Sequence, residues 1–171
     1  MTKICLTLIG LATVTLIVSM SSPSMAHGAE RGSVKATING DHISIDYGRP
    51  ALRGRDMLSQ IKPSQLWRIG ADAPTTLESD TELNFGGTIV PKGKHILLAR
   101  LVEPGKWTLV FSSKSAFQYD PSAKIAEVPL TLQETSDSVE LVTVQLNDHD
   151  GVGVIEIAWG KMRLSASFKP A

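Results

Sequence analysis

Apolar residues recur at every second position along most of this chain, and a chain so patterned is committed to strands with one buried face. Val34, Ala36 and Ile38 alternate with polar neighbours, and so do Ile43, Ile45 and Tyr47. Asn39-Gly40 lies between the two runs, and Asn-Gly suits the type I′ turn of a tight hairpin. The alternation returns at Leu83 and Phe85, at Trp107, Leu109 and Phe111, and at Val128, Leu130 and Leu132. It continues at Val142, Val144 and Leu146, at Ile155, Ile157 and Trp159, and at Met162, Leu164, Ala166 and Phe168. Turn residues separate the runs: Gly86-Gly87, Pro91-Lys92-Gly93, Pro104-Gly105 and Gly160-Lys161. Several short strands at regular spacing predict an all-β fold, an antiparallel β-sandwich that is jelly-roll-like or a partly closed barrel.

One helix is expected. Met57, Leu58 and Ile61 are spaced for one helical face, Asp56 suits its N-terminal end, and Pro63 stops it. This predicts two turns at most, near residues 55–62. No helical pattern is long enough for a parallel α/β sheet.

The front of the chain has a different character. Lys3 is followed by an uncharged apolar run, and Ser24-Met25-Ala26 places small residues where a signal peptidase reads. The run is interrupted by Thr7, Thr13 and Thr15 and ends in Ser21-Ser22-Pro23, short of the roughly 20 apolar residues of a spanning helix. Residues 1–26 therefore read as a signal helix removed on export, residues 27–32 as a loose tail, and residues 33–169 as a single β-domain. No membrane span is expected in the mature chain. Cys5 is the only cysteine and lies inside the removable segment, so the mature domain has no disulfide, thiol nucleophile or cysteine metal ligand. A periplasmic or secreted location in a bacterium follows as the expectation.

Charge narrows the function classes. Lys+Arg and Asp+Glu both number 17, and charged residues make up 20% of the chain. That balance is unlike the basic footprint of a nucleic-acid binder. The four histidines, His27, His42, His95 and His149, form no His-Glu-x-x-His and no His-x-His pair, so no metal site is expected. Asn147-Asp148-His149-Asp150-Gly151 resembles a fragment of a calcium loop, but its residue types are also those of a polar hairpin turn, the reading taken here. There is no Gly-x-Ser-x-Gly elbow and no phosphate-cradling glycine loop. No catalytic residue and no cofactor is assigned.

The densest unusual segment is 46–72. It holds Arg49, Arg53, Arg55 and Arg68 with Tyr47, Trp67, Asp46, Asp56 and Asp72. Guanidinium forks match carboxylates and phosphates in pairs of hydrogen bonds and stack on aromatic faces. Asp46, Tyr47, Arg49, Arg53, Arg55, Trp67, Arg68 and Asp72, with His95 heading an apolar strand, are the candidate ligand-binding residues. The first reading is a non-catalytic module for a small anionic or polyhydroxylated ligand, such as a carbohydrate. The second is a structural or protein-interaction domain in which an Arg–Asp network pins a long loop. The third is an envelope hydrolase using Asp46, Asp72 or His95.

The same segment carries a family resemblance. Asp46-Tyr47-Gly48-Arg49-Pro50, Arg53-Gly54-Arg55 and the run from Trp67-Arg68-Ile69-Gly70 through Ala71-Asp72-Ala73-Pro74-Thr75-Thr76 resemble the bacterial family called domain of unknown function 2911. Gly86-Gly87, Pro91-Lys92-Gly93-Lys94-His95, Tyr119-Asp120 and Ala158-Trp159 match its later blocks, so the similarity covers about residues 33–168. It implies a small exported bacterial β-domain and no activity. One departure stands out: His95-Ile96-Leu97 occupies a place that usually reads Tyr-Ser-Leu in that family.

Overall fold

The computed structural model describes residues 28–56 and 60–171. The expected signal helix, His27 and the segment Met57-Leu58-Ser59 lie outside the described residues. Ten strands follow in chain order: β1 Glu30–Ile38, β2 Asp41–Arg49, β3 Leu66–Trp67, β4 Thr76–Ser79, β5 Leu83–Phe85, β6 Thr88–Val90, β7 Gly93–Glu103, β8 Lys106–Ser112, β9 Lys124–His149 and β10 Val152–Pro170. All pairings are antiparallel. The order β1-β2-β4-β7-β8-β9-β10-β5-β6, with β3 beside β7, makes one sheet that does not close into a barrel. Among the described residues no helix is long and apolar enough to cross a membrane.

The hairpin signals fold as their residue types require. Asn39 and Gly40 both take positive φ, 53° and 94°, and join β1 to β2 through a two-residue turn. Asp150 and Gly151 do the same, at 52° and 81°, between β9 and β10. The Asn147–Gly151 cluster is thus a hairpin end, with Asp148 Oδ1 accepting the Gly151 N–H. β1 begins at Glu30, three residues earlier than the alternation suggests. Glu30, Arg31 and Gly32 pair with Arg49, Gly48 and Tyr47, and the Tyr47 ring fills the space above Gly32.

The predicted helix is not present in the described part of its span. Arg55, Asp56 and residues 60–62 are non-helical, and the only helical element among the described residues is a 3₁₀ turn at Pro121–Ala123. The Asp56 carbonyl accepts the side-chain amide of Gln60 at 3.1 Å, and Arg55 bonds back to the carbonyls of Leu52 and Ala51. The Gln60 side chain thereby uses the Asp56 carbonyl, which a helix would give to the Gln60 backbone N–H.

Two long strands hold the halves together. β9 pairs with β8 as far as Leu130 and with β10 from Thr131 onward. β10 pairs with β9 and then, at Lys169 and Pro170, with β5. The second half of β9 packs against β1 and β2, so the sheet curls over its own concave face. That face carries the core, including Ile43, Ile45, Leu77, Leu97, Leu109, Phe111, Val144, Ile155 and Phe168.

Gly160-Lys161 is not a turn between strands but a bulge within β10. Ile155, Ile157 and Trp159 face the core before it, whereas Met162, Leu164, Ala166 and Phe168 face it afterwards. A strict strand cannot change parity; an inserted residue can, and Gly160 accepts the required φ of 59°. The register shifts on both sides of Gly160, leaving Glu140, Leu141 and Val142 of β9 opposite the single residue Trp159. Those extra β9 groups turn to a different partner, the loop after β2.

Candidate functional site

The loop after β2 is fastened to the irregular part of β9. Leu52 N–H donates to the Glu140 carbonyl at 2.9 Å, Val142 N–H donates to the Pro50 carbonyl at 3.1 Å, and Ala51 bridges to Leu141. The Glu140 side chain accepts the Arg53 N–H at 2.8 Å. On the opposite side stands the loop after β3. Its approach depends on two glycines: a Cβ on Gly48 would meet the Ala71 carbonyl at 2.3 Å, and one on Gly70 would meet the Gly48 carbonyl at 2.9 Å. The Thr75 hydroxyl donates to the buried Ile69 carbonyl and holds this loop in shape.

Between the two loops lies a groove of about 570 Å³. Arg49, Arg53, Arg55, Asp72 and Glu30 line it together with small backbone-rich residues such as Ala29, Pro50 and Ala71. Arg49 donates from Nε to the Val142 carbonyl at 3.3 Å and from Nη1 to Glu30 at 2.8 Å. Arg55 donates from Nε to the Leu52 carbonyl at 3.0 Å and from Nη2 to that of Ala51 at 3.1 Å. Asp72 accepts the Ala29 N–H at 2.6 Å. The Arg53 guanidinium has no hydrogen bond or ion pair among the described residues; only its backbone is held, at a φ of 51°. Three arginines face two carboxylates, one of which Arg49 already engages.

The other candidates lie elsewhere. Tyr47 is a core residue whose hydroxyl donates to the Val144 carbonyl at 3.4 Å. Trp67 is buried as well, stacked on Trp159 with ring centres 5.7 Å apart and edge-on to Trp107 at 6.5 Å. His95 is 8% exposed and shares the core face of β7 with Leu97; its Nε2 is 2.7 Å from the Pro91 carbonyl and its Nδ1 has no partner. Asp46 points to solvent and pairs with Arg31. Arg68 borders a separate slot, where its guanidinium lies 5.3 Å from the Phe117 ring centre. The structure therefore brings together Arg49, Arg53, Arg55 and Asp72, and disperses Asp46, Tyr47, Trp67, Arg68 and His95. Of the three residues named for a hydrolytic reading, Asp72 lines this groove beside the arginines, whereas Asp46 and His95 do not.

Sequence reasoning missed Glu30, Glu140 and Phe117. Glu30 falls in the presumed tail, and Glu140 becomes a loop anchor only through the bulge. Phe117 did leave a signal, as an apolar aromatic in a polar stretch two residues before Tyr119. Among the described residues no group of three or more His, Cys, Asp or Glu side chains is placed to hold a metal ion.

A second charged network fixes the outer face of the sheet. Arg100 donates to the Tyr119 hydroxyl at 3.0 Å and pairs with Glu127 at 3.6 Å, while Thr108 and Lys124 donate to the same carboxylate. Burial pushes the Glu127 carboxyl up, but the hydrogen bonds from Thr108 and Lys124 and the charges of Arg100 and Lys124 more than offset it. The net result is a carboxyl below its ordinary range. Asp120 is lowered to about 2, mainly by the hydrogen bonds from Lys114 and Ser122. These contacts tie down the loop that carries Phe117.

Fold and groove thus define a class: an all-β protein of one curled antiparallel sheet, with an arginine-lined groove between two loops. The chain belongs to the family described as protein of unknown function (DUF2911), whose model matches residues 29–168. No curated protein and no solved structure matches the chain.

Proposed function

We propose that this is an exported bacterial protein, released by cleavage after Ala26, that binds a small anionic or polyhydroxylated ligand in the envelope without transforming it. On this reading the curled sheet serves as a β-sandwich, its layers being the β1-β2-β4 side and the second half of β9 with the first half of β10. The ligand occupies the groove of Arg49, Arg53 and Arg55. The observation that carries the reading is the Arg53 guanidinium, unpaired beside two arginines that are already oriented by carbonyls. The loop is fastened and the Arg49 and Arg55 forks are already oriented, so a carboxylate or phosphate meeting them has only the Arg53 side chain left to order. An acidic sugar supplies both that anion and hydroxyls for the carbonyl-rich walls.

The second reading, a structural or protein-interaction domain, draws on Arg49 and Arg55, whose bonds tie β2 and its loop to β9 and to the loop itself. A thermal-shift screen of the purified protein against neutral sugars, sugar acids and phosphates separates the two. A ligand that binds only the folded state raises the melting temperature. A rise with acidic sugars or phosphates supports binding; no response to any of them leaves the structural reading in place.

A further inference from the structure

A second binding site lies on the outer face of β7, separated from the arginine groove by the loop that carries Asp72, which borders both. Ile96 and Leu98 face outward there, opposite in direction to the core residues Leu97 and Ala99. The loop after β8 folds over them and holds Phe117 at its tip, 83% exposed. Between them is a slot of about 140 Å³, bounded by Arg68, Asp72, Thr75, Ile96, Leu98 and Phe117. Its loop is fastened at both ends: Lys114 pairs with Asp120 at 2.5 Å, and Tyr119 is held by Arg100.

We infer that this slot takes a single-ring aromatic carboxylate. Three observations carry the assignment. An enclosed apolar cavity of about 150 Å³ accommodates one benzene-sized ring, so this open slot of about 140 Å³ has room for one ring against Ile96 and Leu98. A solvent-facing phenylalanine at the mouth of an apolar slot offers a ring face to stack against. Arg68 contacts Phe117 through its guanidinium but has no hydrogen bond or ion pair among the described residues, so its N–H donors are available to a carboxylate. Asp72 also borders the slot, with its Oδ2 on the Ala29 N–H, and its charge opposes a ligand carboxylate placed beside it.

The test is calorimetric titration with benzoate, with acetate and benzyl alcohol as probes lacking the ring or the charge. Benzoate binds, and each control binds at least about tenfold more weakly. Arg68→Gln weakens benzoate about tenfold and Phe117→Ala about fivefold, while each lowers the melting temperature by only about 1–3 °C, because each removes the same single Arg68–Phe117 contact. Arg53→Gln, in the other groove, leaves benzoate binding as it was. The assignment is overturned if acetate binds as well as benzoate, if neither slot variant weakens binding, or if Arg53→Gln removes it.

Discussion

Gly48 and Ala71 touch backbone to backbone: a Cβ on Gly48 would lie 2.3 Å from the Ala71 carbonyl oxygen. This contact sets the loop carrying Asp72 against the strand end carrying Arg49, and so determines the width of the groove. Gly48→Ala cannot be absorbed by a side-chain rotation, because the obstructing atoms are backbone. A loss of about 1–3 kcal/mol is expected, which corresponds to roughly 5 °C in melting temperature for a domain of this size. Thermal unfolding of the purified variant checks it.

Arg49 and Arg53 should differ in their response to substitution. Arg49 spends its fork on the Val142 carbonyl and Glu30. Arg49→Lys keeps a charge but loses that geometry, and stability should fall by about 1 kcal/mol. Arg53→Gln removes a guanidinium with no internal partner, and the melting temperature should stay within about 1 °C.

Acid should loosen the outer face. Both carboxyls there are depressed in the folded state, so they stabilise it above their unfolded values and cease to do so as pH falls through the folded ones. For Asp120 the window runs from 3.8 down to about 2. For Glu127 it begins at 4.5 and extends below. Glu127→Gln should flatten the upper part of the pH–stability curve, measured by thermal melts between about pH 5 and 2.

The Trp67–Trp159 stack is a structural feature of the core. Its planes are 8° apart, and both rings are buried. Trp67→Ala should destabilise the protein by about 3–5 kcal/mol, whereas a ligand platform would tolerate the change with loss of binding alone. Chemical denaturation distinguishes these outcomes.

Much of the fold was legible because a half-buried strand writes its period into the sequence. Asn39-Gly40 marked a hairpin correctly, and so did Asp150-Gly151. The parity change at Gly160 was visible too, but a glycine between two alternating runs reads equally as a turn or a bulge. Only the partner strand, with Glu140, Leu141 and Val142 opposite Trp159, distinguishes them. Met57, Leu58 and Ile61 span too few residues for helical periodicity to decide; of the three only Ile61 is among the described residues, and it is not helical.

The candidate site was legible in part. Clustering of arginines in sequence identified Arg49, Arg53, Arg55 and Asp72, which the loops do bring together. It also gathered Tyr47, Trp67 and His95, whose strand positions send them to the core. Asp46 does pair with an arginine, but with Arg31, while Arg49 and Arg55 take carbonyls and Glu30, because loop backbones supply acceptors that no sequence motif displays.

The most direct measurement is the thermal shift of wild-type protein and Arg53→Gln with galacturonate and with phosphate. Wild type should gain roughly 5 °C or more with one of these anions at about 100 times its Kd. Arg53→Gln, equally stable alone, should lose most of that gain. Equal shifts in the two proteins, or none in wild type, would contradict ligand binding in the arginine groove.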